Sequence, residues 1–91
     1  MKLRWSREAI DALRAARAWI AAEDPAAAKR VATRLLAGAD RLSAFPRLGR
    51  AGRVASTREL VVADTPFILI YRIEADTITI VAVLHHARDR E

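Results

Sequence analysis

Residues 57–85, TRELVVADTPFILIYRIEADTITIVAVLH, are a long run of β-branched and apolar residues broken twice by polar turns. The breaks at Asp64-Thr65-Pro66 and Glu74-Ala75-Asp76 divide the run into three predicted strands, Thr57–Asp64, Phe67–Glu74 and Thr77–His85. Phe67–Tyr71 is almost continuously apolar, the pattern of a central strand buried on both faces. In the last strand Ile78, Ile80, Ala82 and Leu84 alternate with Thr77, Thr79, Val81 and Val83. The Ile/Leu set is expected to face a core and the Thr-bearing set to meet solvent. Connections this short pair successive strands antiparallel, as a meander.

Upstream of the meander the period changes from two to 3.6. Ile10, Leu13, Ala16 and Ile20 mark one face of a helix that begins after Ser6 and runs to about Ala22. Trp19 falls at the edge of that stripe and is expected to be half buried. Asp24-Pro25 opens a second helix, because Asp caps free N–H groups and Pro at the first helical position has no N–H to leave unpaired. Ala28, Val31, Ala32, Leu35, Ala39 and Leu42 form its apolar face, and Phe45-Pro46 ends it. Only a short connection around Glu23 separates the helices, which predicts a helical hairpin. Lys2–Trp5 alternates and reads as a first strand. The predicted class is therefore α+β in the order β-α-α-β-β-β. A helical hairpin packs on one face of a four-stranded, mainly antiparallel sheet, and residues 1–91 form a single domain.

Composition narrows the function. Ninety-one residues give one core and no separate cofactor domain, and a chain this short buries roughly 60–65% of its unfolded surface. Hydrophobic residues make up 53% and charged residues 30%, a globular balance. With no cysteine there is neither a disulfide framework nor a Cys-ligated metal. No apolar run approaches a membrane span, and the N-terminal MKLRWSREA has no signal-peptide character. A soluble, cytoplasmic protein without a membrane partner is expected.

Charge is the stronger clue. Sixteen basic residues against 11 acidic give a net charge of +5, and 14 of the basic residues are Arg. Such a surface suits acidic partners, although 20 Ala beside the Arg excess also fits a GC-rich coding sequence. Residues 46–56 read as a loop, and Arg47, Arg50, Arg53 and Arg58 lie on a segment with no acid between Asp40 and Glu59. The segment is either a solvated loop or an anion- or partner-binding edge to which Gly49 and Gly52 allow close approach.

Familiar catalytic constellations are missing: there is no Walker motif, no HExxH and no nucleophile elbow. His85 and His86, adjacent on a strand, point to opposite faces and cannot easily chelate one metal. There remain His85, His86, Arg88, Arg72, Arg58, Glu59 and Tyr71. An Arg/His group can hold a phosphodiester and move protons near neutral pH, as RNA cleavage without a metal requires. The same histidines can equally pack at the strand end or face solvent.

In this order, WSREA (5–9), DPAAAKRV (24–31), FPRLGR (45–50), TREL (57–60), IYR (70–72) and VLHHARD (83–89) resemble the RelE/ParE family of type II toxin–antitoxin toxins. The resemblance spans nearly the whole chain. It implies the fold given above, a growth-arresting toxin, no cofactor, and an acidic ParD- or RelB-like antitoxin that wraps it with helices and an extended segment. Two targets divide the family: DNA gyrase, inhibited by binding, and mRNA, cleaved on the ribosome.

RelE-like nucleases carry an Arg three residues before the Tyr of the Tyr71 strand, where this chain has Ile68, and a C-terminal Tyr or His. No Tyr follows Tyr71 here. Arg88 fits the basic strand exit, and His85 or His86 could substitute for the terminal group, although VLH also ends this strand in ParE-like members. The reading leans ParE-like, with Arg47, Arg50, Arg53, Arg58, Arg88 and Arg90 as target-binding candidates. If the chain is a nuclease, His85, His86, Arg88, Arg58 and Arg72 are its catalytic candidates. A degenerate toxin kept only as an antitoxin partner is the third reading.

Overall fold

The computed structural model describes residues 1–89. The elements are β1 (Lys2–Trp5), α1 (Arg7–Ala21), α2 (Pro25–Ala44), β2 (Arg50–Ala51), β3 (Arg58–Val61), β4 (Phe67–Glu74) and β5 (Thr77–His85). The sheet has five strands in the order β1-β5-β4-β3-β2. It is mixed: β1 runs parallel to β5 and every other pair is antiparallel. The expected four-stranded sheet thus gains a fifth strand. Two residues of the segment read as loop, Arg50 and Ala51, pair with Glu59 and Arg58 at the sheet edge. A strand of two residues has no alternation long enough to read in sequence.

Both helices start where their caps direct. The Ser6 hydroxyl accepts from the Ala9 N–H at 3.1 Å, and the Asp24 carboxylate accepts from the Ala27 N–H at 3.0 Å with Pro25 behind it. α2 stops at Phe45, whose N–H still donates to the Arg41 carbonyl, because Pro46 disfavours helical geometry in the preceding residue. Asp24→Ala should lower unfolding free energy by about 1 kcal/mol. Asp40→Ala, on the exposed side of the same helix, should shift it by no more than about 0.5 kcal/mol. Urea titration of both variants checks the contrast; equal effects would remove the capping role.

The hairpin covers one face of the sheet. Ala9 and Ala16 of α1 and Leu35, Ala39 and Leu42 of α2 pack with Phe67, Leu69 and Tyr71 of β4 and Ile78, Ile80 and Val83 of β5. Small residues on α1 let the two helices and the sheet approach closely. Leu3 and Trp5 of β1 flank this core.

The expected alternation of β5 holds only halfway. Tyr71 pairs with Ile80, but Ile70 pairs with Ala82, so Val81 is an extra residue in β5. Such a bulge reverses the parity of every residue beyond it. Val83 and His85, not Ala82 and Leu84, continue the helix-facing row of Ile78 and Ile80. Thr79, expected to meet solvent, is 4% exposed.

Candidate functional site

The bulge decides where His85 goes. Facing the helices beside Phe67, its ring meets the Phe67 ring edge-on at 5.4 Å and the Trp19 ring of α1 edge-on at 6.2 Å. The chain then turns back on itself. The Arg88 N–H donates to His85 Nδ1 at 3.1 Å, and the His85 N–H donates to Asp89 Oδ2 at 2.7 Å. The Asp89 N–H closes the turn on the His85 carbonyl at 2.9 Å. Arg88 lies over Trp19, its guanidinium carbon 4.7 Å from the ring centroid, and its Nε is 3.9 Å from Asp89. With Nδ1 accepting, a neutral His85 carries its proton on Nε2. Trp19 is 59% exposed rather than half buried, since its ring lies across the returning turn at the protein surface. No sequence pattern linked Trp19 to residues 85–89; the contact crosses most of the chain.

A second cluster involves the loop that follows the end of α2. Tyr71, fully buried on β4, donates its hydroxyl to the Pro46 carbonyl at 2.7 Å and accepts the Gly49 N–H at 2.9 Å. Arg58 donates to the Gly49 carbonyl from Nε at 3.1 Å and from Nη2 at 2.6 Å, and to the Arg47 carbonyl at 3.4 Å. Together Tyr71 and Arg58 hold residues 46–49 against the sheet edge. Charge-assisted bonds of this kind are worth roughly twice a neutral one. Arg50 reaches Glu59 at 3.5 Å, and the Arg53 N–H donates to the other Glu59 oxygen at 3.2 Å. The segment that reads as uncompensated positive charge is therefore anchored internally at Arg50 and Arg58, whereas Arg47 and Arg53 present exposed side chains.

The remaining candidates lie elsewhere. Arg72 occupies the sheet face away from the helices, since its neighbour Tyr71 is in the core. His86 has left the strand; its N–H donates to the Pro66 carbonyl and its side chain is exposed. Arg90 lies outside the described residues. The five nuclease candidates thus occupy three places: His85 and Arg88 with His86 just past the strand, Arg58 behind the 46–49 loop, and Arg72 across the sheet. Beside the loop, Met1, Phe45, Leu48 and Ile73 line an open apolar groove of about 600 Å³ with Arg47 on its rim.

Known proteins share this architecture. Residues 3–90 match the family described as ParE toxin of type II toxin–antitoxin system, parDE. Y4kP of Sinorhizobium fredii is 44% identical over 84 residues, which cover 92% of this chain and 86% of that protein. Toxin RelE2 of Caulobacter vibrioides is 38% identical over 84 residues, covering 92% and 93%. A chain of the chromosomal ParDE TA system from P. aeruginosa superposes with a TM-score of 0.85 at 24% identity, covering 93% of this chain and 95% of that one, a likeness of fold. With the family matched over nearly its whole length, the chain belongs to the ParE toxins of type II toxin–antitoxin systems, and an antitoxin is its partner.

Proposed function

We propose that this toxin arrests growth in the cytoplasm by binding DNA gyrase, without covalent chemistry or a cofactor, and that an acidic ParD-like antitoxin neutralises it. The observation that carries the reading is the dispersal of the nuclease candidates. RNA cleavage without a metal needs a base, an acid and a phosphate-holding cation around one phosphorus. His85 is held by Trp19, Phe67 and the Arg88 N–H, Arg58 binds backbone carbonyls, and Arg72 faces the other side of the sheet. Ile68, at the position of the nuclease Arg, is fully buried. The exposed cations Arg47, Arg53 and Arg88 are the contacts proposed for the target, and a net charge of +5 favours an acidic antitoxin.

The name of the relative RelE2 keeps mRNA cleavage on the ribosome as the second reading. Brief induction of the chain alone, with parallel pulse-labelling of new DNA and new protein, separates the two. DNA synthesis is expected to fall first, and purified gyrase to lose supercoiling activity in the presence of the chain. Protein synthesis falling first, with mRNA cut at codon positions, would establish the nuclease instead.

The histidines give a quantitative version. Losing a general base costs a nuclease roughly 10²–10⁴ in rate. For a binding toxin, His85→Ala with His86→Ala should cost less than the about 10-fold that 1.4 kcal/mol of lost affinity produces. Titration of growth arrest against intracellular toxin measures the difference.

A further inference from the structure

The sheet face away from the helices carries a row of three donors. Leu3, Trp5, Tyr71, Ile78 and Ile80 belong to the helix-side core, so the intervening Arg4, Arg72 and Thr79 lie on the opposite face. Register places them side by side: Arg4 of β1 pairs with Thr79 of β5, which pairs with Arg72 of β4. At the usual strand spacing the two Arg Cα atoms are roughly 10 Å apart with Thr79 between them.

Both arginines are exposed, and among the described residues neither makes an ion pair or a side-chain hydrogen bond. Other cations on this face are matched, Lys2 by Asp76 at 3.6 Å and Arg50 by Glu59 at 3.5 Å. Glu74, an exposed acid, lies one row further along β4. Thr79 is 96% buried, yet its hydroxyl has no hydrogen-bond partner among the described residues and keeps contact with the surface. A surface-reaching hydroxyl between two guanidiniums that make no ion pair suits a ligand that accepts hydrogen bonds.

We infer that the Arg4–Thr79–Arg72 row binds the phosphodiester backbone of duplex DNA. Phosphate oxygens accept from Arg in forked geometry and from a hydroxyl between the forks. Single-stranded nucleic acid is held by stacking its bases on aromatic rings. All five aromatic residues are elsewhere: Trp5, Phe67 and Tyr71 on the helix side, Trp19 on α1 and Phe45 at the end of α2. A face with cations and no ring suits a duplex, whose bases stay stacked. Such contacts fix position without reading sequence. The inference does not depend on gyrase being the target, and it gives the toxin a direct hold on the DNA on which such an enzyme works.

The test is fluorescence anisotropy of a labelled mixed-sequence DNA duplex titrated with the full chain between 50 and 200 mM salt. The Arg4→Gln/Arg72→Gln pair should weaken binding at 50 mM by about tenfold or more and reduce the slope of log K against log salt by about 2. Thr79→Val, close to isosteric, should weaken binding a few-fold with the slope unchanged. Arg14→Gln/Arg17→Gln on α1 removes the same charge away from the row and should leave most of the slope intact. Absence of duplex binding at 50 mM, a wild-type slope in the sheet-face pair, or an equal loss in the α1 pair each overturns the proposal. Tighter binding of single-stranded RNA of equal length overturns the duplex assignment. Poly-glutamate competing as well as DNA, with Thr79→Val silent, assigns the row to an acidic protein instead.

Discussion

Tyr71→Ala is expected to lower the unfolding free energy by about 3–5 kcal/mol, the cost of deleting a fully buried aromatic ring. A chain of 91 residues is stable by roughly 5–14 kcal/mol in total, so this single change should leave the toxin partly unfolded at growth temperature. Two effects add in this variant. Phe67, Leu69 and the helices lose a packing partner, and the loop carrying Gly49 loses both bonds to the phenol. Tyr71→Phe separates them. It keeps the ring, leaves the buried Gly49 N–H without its acceptor, and should cost about 1–3 kcal/mol. Urea unfolding of both variants supplies the numbers. A Tyr71→Phe chain as stable as the parent would show that the hydroxyl does not hold the loop.

Gly49→Ala is expected to cost about 1–3 kcal/mol, by overpacking rather than by loss of contacts. A Cβ at this position would lie 2.6 Å from the Glu59 carbonyl oxygen and 2.7 Å from Cε1 and the hydroxyl of Tyr71. Backbone and a buried ring hem it in, so nothing nearby yields cheaply. Removing the phenol oxygen relieves part of the conflict and leaves the rest. Gly49→Ala and Tyr71→Phe should therefore be non-additive, the double variant being at least about 0.5 kcal/mol more stable than the sum of the singles implies. Additivity would mean that the loop shifts away from Tyr71 when it gains a methyl group. The glycine that reads as leaving room for a partner is filled from inside the molecule, by Tyr71 and the β3 backbone.

This bears on the basic loop as a target-binding element. Arg47 and Arg53 project from a segment whose backbone is tied to Tyr71, Arg58 and Glu59. A pre-anchored segment loses less conformational entropy when it binds than a free loop does. Under the proposed gyrase-binding reading Arg58 would act through the loop it holds, and its replacement should affect folding and binding together.

Local chemistry was legible in the residues themselves. Ser6 and Asp24-Pro25 name their helix starts because capping acts over three residues, and Phe45-Pro46 names the end because Pro constrains its predecessor sterically. Phe67–Glu74 and Thr77–His85 are strands with the bounds that their composition predicts. The family, too, could be recognised from ordered short motifs, since they recur along the whole chain.

Which sheet face a strand residue takes and which distant residue it meets were decided by tertiary structure. Val81 is an ordinary β-branched residue in sequence; only its register against β4 makes it a bulge, and that bulge sends His85 to Trp19 instead of to the open face. The Tyr71–Gly49 and Arg88–Trp19 contacts join residues far apart in the chain, where neither periodicity nor capping extends. The Arg4–Thr79–Arg72 row exists only because a parallel first strand slots beside the last one. Sequence determined both helices and the longer strands, for those preferences are set by near neighbours, though β2 read as loop and the strand expected over Thr57–Asp64 is only Arg58–Val61. Strand pairing determined what stands next to what, for it depends on how distant segments share one core.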